Sequence, residues 1–299
     1  MYQYRDWTLD PISFPPAQFA QFLDGIHNNS QHYIPIHDAA IYYPNPNNAS
    51  DATAYFTAGD PLGIWLLNPD NSTYIGDVWP GYTVFPDWLA NNTQGWWTEG
   101  FRNFSQIANF DGIWLDMNEA SSFCVGSCGS SNVTQNPVHP PFGLSGEPGQ
   151  IIFSYPEGFN LTNATEAAAA SSGSSSQAAA SSTSMSSTAT TSSTAPTVTI
   201  DTTVENINYP PYAINHHQSP HDLAVHAVSP NATHHDGTKE YDIHNLWGYL
   251  ETRATYSALT DIHPDRRPFI ITRSTFPGSG VVAGHWGGIP IRQFRTDIR

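Results

Sequence analysis

The stretch DGIWLDMNE, residues 111–119, joins a short apolar run to a pair of acids. Ile113, Trp114 and Leu115 read as a buried strand, and Asp116 ends it. Glu119 follows three residues later, with Asn118 between the acids. A solvated acid capping a strand end would explain one such pattern. The sequence on either side decides whether more is needed.

The same arrangement recurs along the chain. WWTEGFRNFSQIANF, residues 96–110, places Trp97, Phe101, Phe104 and Ala108 on one helical face and leads into the run that ends at Asp116. PPAQFAQFLDGIHNN, residues 15–29, aligns Phe19, Phe22, Leu23 and Ile26, with Pro16 suited to a first helical turn. It leads into HYIPIHD, which ends at Asp38. EYDIHNLWGYLETRATYSAL, residues 240–259, aligns Ile243, Leu246, Trp247, Leu250 and Ala254 and leads into RPFIITR, which ends at Arg273. Helix, short turn, apolar strand and polar terminus thus recur. Strands buried on both faces and alternating with helices imply a parallel sheet in an α/β fold.

The segments from each strand end to the next helix are long and rich in Gly, Pro, Asn and aromatic residues. Long βα loops beside short αβ turns are the pattern of a (β/α)8 TIM barrel, which builds its site on the C-terminal face. A doubly wound open sheet also fits the alternation. No glycine-rich phosphate turn follows any of these strands, which favours the barrel. Asp38, Asp116 and Arg273 would then converge on one rim. Only about four of the eight strands are visible, so the prediction is a partial barrel over residues 1–299 with long βα-loop insertions. Residues 39–95 form a loop subdomain within it.

Composition removes several classes of function. The formal net charge is −16, with only 10 Lys and Arg in 299 residues, so nucleic acid is not an expected partner. No apolar stretch approaches the roughly 20 residues that span a membrane. The N-terminal MYQYRDWTLDP lacks the basic and apolar regions of a signal peptide. N-x-[ST] sequons at Asn28, Asn48, Asn71, Asn91, Asn103, Asn132, Asn160, Asn163 and Asn231 nevertheless point to a secreted, extracellular glycoprotein. Cys124 and Cys128 lie four apart in FCVGSCG, a glycine-bearing loop that could close as a disulfide, with two free thiols as the alternative. Residues 164–199 are almost entirely Ala, Ser and Thr, with nothing to bury, and read as a disordered, O-glycosylatable insert. His216, His217, His221, His226, His234 and His235 crowd one segment, but no H-E-x-x-H spacing appears. Loop packing or solvent exposure is expected for them, and no metal.

Carboxylates at a barrel mouth suit glycoside hydrolysis, whose oxocarbenium-like transition state needs one facing the anomeric carbon and an acid facing the leaving oxygen. Aromatic residues should line such a site, because sugar rings present apolar faces. GDVWPGYTVFPDW, residues 76–88, supplies them. Phe85 and Trp88 read as core of the loop subdomain, and Trp79 as the better ligand candidate.

DGIWLDMNEASSF, GDVWPGYTVFPDW, RPFIITRSTFPGSG and AGHW together resemble glycoside hydrolase family 31, most closely its secreted fungal α-glucosidases. The resemblance runs from Met1 to about Gly288. It implies a retaining α-glucosidase without cofactor, acting on malto-oligosaccharides or starch ends. It further implies that Asp116 is the nucleophile and that Glu119 either assists it or braces the loop. By the same resemblance Arg273 pairs with carboxylate or sugar hydroxyls, and Asp38 binds hydroxyls at the far end of the glucose. Trp79, Trp114, Met117, His285 and Trp286 would complete the pocket wall. Two departures stand out. The family carries a D-I-D-Y-M motif with a substrate-binding Asp, and this chain begins at the Met. The family reads G-H-W-x-G-D-N, where the Asp is the general acid, and this chain reads GHWGGIP, with Ile289 in the acid's place. The two departures imply an incomplete product, expected to be inactive as written and at most sugar-binding.

Overall fold

The computed structural model describes residues 1–44, 49–123, 127, 207, 223, 224 and 226–287. Helix α1 (Pro16–Asn28) starts with Pro16 in its first turn, where the missing N–H has no partner to lose. It buries Phe19 and Leu23. Phe22, expected on the same face, is 57% exposed, so α1 is covered along a narrower stripe than its sequence suggests. Strand β1 (Ile36–Asp38) follows.

Between β1 and the next long helix the chain builds a second, antiparallel sheet. Strand β2 (Ile41–Tyr42) precedes a short helix α2 (Ala54–Gly59), and β3 (Ile75–Val78) turns through Trp79 and Pro80 into β4 (Gly81–Val84). The strand order is β2-β4-β3. Gly81 closes this tight turn at φ 110°, a backbone angle that costs glycine little.

Helix α3 (Thr93–Ile107) buries Trp96, Trp97, Gly100, Phe101 and Phe104 at helical spacing. Gly100 is small because Trp7 packs on it: a Cβ there would lie 2.8 Å from the indole. Strand β5 (Ile113–Asp116) comes next. The helix expected over residues 240–259 is divided into a single turn α4 (Glu240–Ile243), a 3-10 turn (His244–Leu246) and α5 (Trp247–Ile262). At this division Glu240 lies 3.2 Å from His244 Nδ1 through one carboxylate oxygen and 2.9 Å from His234 Nε2 through the other. Helix α5 also turns a polar stripe inward, burying Glu251, Thr252 and Thr255 with Trp247, Ala254 and Ala258. Leu250, expected on the buried face, is only half-buried.

Strands β6 (Ile270–Thr272) and β7 (Gly284–His285) complete a four-stranded sheet in the order β1-β5-β6-β7, all parallel. Parallel strands in chain order with helices between them are the repeat of a (β/α)8 barrel, and this sheet is an open segment of one. Register places Asp38 beside Asp116, and Leu115 beside Thr272. The polar strand ends therefore stand level on one rim. Beneath them Trp7, Trp97, Phe101 and Phe110 interlock with Ile113 and Leu115 in one core, each side chain contributing about 1.5–3 kcal/mol of apolar burial.

Candidate active site

Asp116 ends β5, and the chain then turns sharply. Met117 at φ 57° and Ala120 at φ 53° are both left-handed, and neither is glycine. Each such residue costs on the order of 1–2 kcal/mol, so the turn holds its shape only because its surroundings fix it. The Ser121 N–H donates to the Met117 carbonyl at 3.1 Å. Asn118, fully buried, ties the turn to the neighbouring strand: its amide donates to Thr272 Oγ1 at 2.7 Å, and its Oδ1 accepts the Ser274 N–H at 2.8 Å.

Arg273, the residue after β6, gathers the acids of this turn. Its Nη1 lies 3.2 Å from Asp116 Oδ1. Its Nε and Nη2 donate to the two Glu119 carboxylate oxygens at 2.8 and 2.7 Å, a bidentate fork. Nη2 also lies 3.3 Å from the Met117 sulfur and from Ser121 Oγ. Burial alone would raise the Glu119 pKa, but the Arg273 hydrogen bonds and charge outweigh it and hold this carboxyl below the usual range. Asp116 moves the other way: burial raises it and Arg273 offsets only part of that.

Asp38 stands next to Asp116 in register and is 2% exposed. Neither of its carboxylate oxygens has a hydrogen-bond partner. Burial, reinforced by the Asp116 charge, pushes its pKa up to about 7 against the opposing pull of Arg273. Its backbone N–H donates to Asp6 Oδ1 at 3.0 Å. Asp6 is itself buried, and its pKa is raised first by burial and then by Asp38.

The aromatic candidates separate into two places. Trp114 on β5 meets Trp286 edge to face with centroids 4.8 Å apart, beside the ion-paired group. His285 is exposed on β7, its Nδ1 3.4 Å from Thr275 Oγ1. Trp79 stands 39% exposed at the tip of the β3–β4 turn, its ring 5.1 Å from Phe123. Phe85 is fully buried and Trp88 half-buried, both packed with Trp247.

A second ionic cluster lies where residues 227–240 meet the loop subdomain. His234 Nδ1 reaches Asp87 Oδ1 at 2.6 Å and its Nε2 reaches Glu240 Oε2 at 2.9 Å, all three side chains fully buried. Burial would lower the His234 pKa, but hydrogen bonds and charge from both carboxylates lift it to about 9, so the ring is an imidazolium. Asp87 also accepts the His235 N–H at 2.8 Å. Within the histidine-rich segment His234 therefore forms a buried cation bridge, beyond simple loop packing, while His216, His217 and His221 lie outside the described residues. Among the described residues no group of three or more His, Cys, Asp or Glu has the geometry to hold a metal.

Sequence reasoning missed Asp6, Asn118 as a tether, Glu251 and the His234 bridge. For Asn118 a signal existed, since Thr272 places a hydroxyl inside an apolar strand. Cys124, Cys128, Asn48, Asn132, Asn160, Asn163, the 164–199 insert and Ile289 lie outside the described residues. No helix among the described residues is long and apolar enough to cross a membrane.

A model of the glycosyl hydrolases family 31 TIM-barrel domain matches residues 1–291. The chain is 58% identical over 286 residues to glucoamylase 1 of Candida albicans, covering 95% of this chain and 30% of that protein. It is 55% identical over 289 residues to an alpha-glucosidase of Aspergillus niger, covering 96% and 29%. The chain thus spans less than a third of the length of these relatives. The crystal structure of the glucosidase II alpha subunit superposes with a TM-score of 0.53 at 18% identity, over 96% of this chain and 20% of that one, a likeness of fold.

Proposed function

This chain belongs to glycoside hydrolase family 31, and we propose that it forms the nucleophile-bearing part of the barrel of a retaining α-glucosidase. Asp116 attacks the anomeric carbon of a terminal α-linked glucose. The bond from that carbon to the leaving oxygen breaks, the oxygen takes a proton from a general acid, and a glycosyl ester forms on Asp116. Water then opens the ester with net retention. The observation that carries this reading is the contact of Asp116 with Arg273 at 3.2 Å, which favours an anionic nucleophile at the end of a rigid strand.

The other residues take roles their geometry supports. Both Glu119 oxygens are held by the Arg273 fork, so Glu119 braces the turn and orients the guanidinium. Asp38, whose two buried carboxylate oxygens have no hydrogen-bond partner in the protein, is the residue we assign to sugar hydroxyls. Trp114, Trp286, His285, Met117 and Trp79 form the wall. The substrate class is malto-oligosaccharide or starch ends, and no cofactor takes part.

Secretion and glycosylation belong to the same reading. Asn28, Asn71, Asn91 and Asn103 are exposed, as glycan acceptors need to be. A Cys124–Cys128 disulfide fits the same compartment. Non-reducing peptide mapping tests it: two alkylatable thiols in secreted material would count against both the bond and the compartment.

The decisive experiment is covalent trapping with 5-fluoro-α-glucosyl fluoride, followed by peptide mapping. The glycosyl label is expected on Asp116. A label on Glu119 with Asp116 unmodified overturns the assignment.

A further inference from the structure

Glu251 lies on the polar stripe that α5 turns into the protein. It is fully buried, and neither carboxyl oxygen has a partner in hydrogen-bond geometry. The groups that act on it come from several elements: Asn118, Asp116 and Glu119 from the turn after β5, Asp38 from β1, and Asp6 from the N-terminal segment. None of these is a cation. The helix carrying it presses directly on the site. A Cβ on Gly248, one turn before Glu251, would lie 2.3 Å from the Asn118 carbonyl oxygen and 2.7 Å from the Ser274 side chain. The adjacent Thr252 hydroxyl donates to the Gly248 carbonyl at 2.7 Å and lies 3.4 Å from Thr272 Oγ1, which in turn accepts the Asn118 amide.

We infer that Glu251 is a positioning residue: a proton-bearing carboxylic acid packed beneath the Met117–Glu119 turn, which supports that turn without drawing the Arg273 charge away from Asp116 and Glu119. An ionised carboxylate here would be desolvated on every side, with only the nearby Asn118 amide to offset its charge, and would face Asp38, Asp116 and Glu119 as like charges. Holding a proton removes the like-charge repulsion and replaces the cost of a buried charge by the smaller cost of a buried neutral carboxyl. The same environment lifts its pKa well above the carboxylate range: burial acts first, the Asn118 amide offsets a part, and the three acids add to the rise. The role in catalysis rests on the reading of Asp116 as nucleophile; the protonation state does not.

Two measurements separate these claims. Infrared difference spectra of the wild-type protein and Glu251→Gln at neutral pH should show the carbonyl stretch of an un-ionised carboxylic acid in the wild type and its loss in the variant. A spectrum in which the variant loses only a carboxylate band overturns the inference, whatever the protein's activity. The second measurement is the pH profile of labelling by the fluoroglucosyl fluoride. Glu251→Ala should label about a hundredfold more slowly, as expected when a reacting group is displaced by about an ångström, and Glu251→Gln should restore the rate with the wild-type profile. If Glu251 were ionised, removing its charge would move the acid limb of the profile to lower pH in Glu251→Gln, and that shift also sinks the proposal. Where no protein labels at all, the function reading has failed and the infrared result still decides the state of Glu251.

Discussion

Asp38 and Asp116 are register partners at the ends of adjacent parallel strands, β1 and β5, with 2% and 9% of their surfaces exposed. Two acids so close and so dry cannot both ionise without a counter-charge. Arg273 is that charge, in contact with Asp116 and felt by Asp38.

Arg273→Lys keeps a charge but loses the fork that holds Glu119 while leaving Nη1 for Asp116. Labelling at Asp116 should fall roughly 10²–10³-fold, the range for removing a preorganised donor from a site. Arg273→Ala should fall further, and the acid limb of its pH profile should move to higher pH, because Asp38 and Asp116 would lose the cation that lowers them. A variant that labels at the wild-type rate would place Arg273 outside the site.

The His234 bridge predicts how stability depends on pH. Its folded pKa of about 9 lies above the ordinary value of 6.5. The stabilisation is therefore complete below the unfolded pKa and is lost as pH rises through about 9. It amounts to roughly 3 kcal/mol if the unfolded ring titrates normally. Asp87, whose pKa is depressed despite burial because His234 pairs with it, adds stability that is lost as pH falls through its folded pKa. Melting temperatures should thus decline on both sides of a plateau, and His234→Asn should flatten the alkaline decline. An alkaline limb that is identical in the two proteins would remove His234 as its cause.

Gly100→Ala tests the aromatic core. The added methyl would sit 2.8 Å from the Trp7 indole, a contact the ring cannot relieve without shifting against Trp96 and Trp97. Overpacking of this kind costs about 1–3 kcal/mol. Chemical denaturation should show the midpoint falling, and an unchanged midpoint would mean that Trp7 moves freely.

What the sequence made legible follows from burial. A parallel strand covered on both faces is a continuous apolar run, so the strands ending at Asp38, Asp116 and near Arg273 stood out. Strand β7 did not, because Gly284 and His285 are exposed and only two residues long. The antiparallel sheet inside residues 39–95 read only as a loop subdomain, since its strands are short and punctuated by Gly and Pro. Glu251 was hidden for a different reason. An acid in a helix reads as solvent-facing, and only the rotation of α5 over Asn118 turns it inward. The His234 bridge joins Asp87 to a residue 147 positions away, a separation no local pattern records.

The chemistry of the leaving group gives the sharpest test of what this chain can do. Fluoride departs without a proton, so a glucosyl fluoride asks only for a nucleophile, a cation to keep it ionised and a binding wall. Maltose asks in addition for an acid at the glycosidic oxygen and, later, a base for water. By the family resemblance Ile289 stands where the acid is expected, and an isoleucine side chain can serve as neither. The 299-residue chain is therefore expected to take up label from a 5-fluoroglucosyl fluoride at Asp116 and to hold it, while releasing no glucose from maltose or an aryl α-glucoside. Intact mass spectrometry over time, beside a glucose-release assay, measures the two together. Steady release of glucose from maltose by this chain would mean that another carboxyl serves as the acid, and the assignment at position 289 would fall.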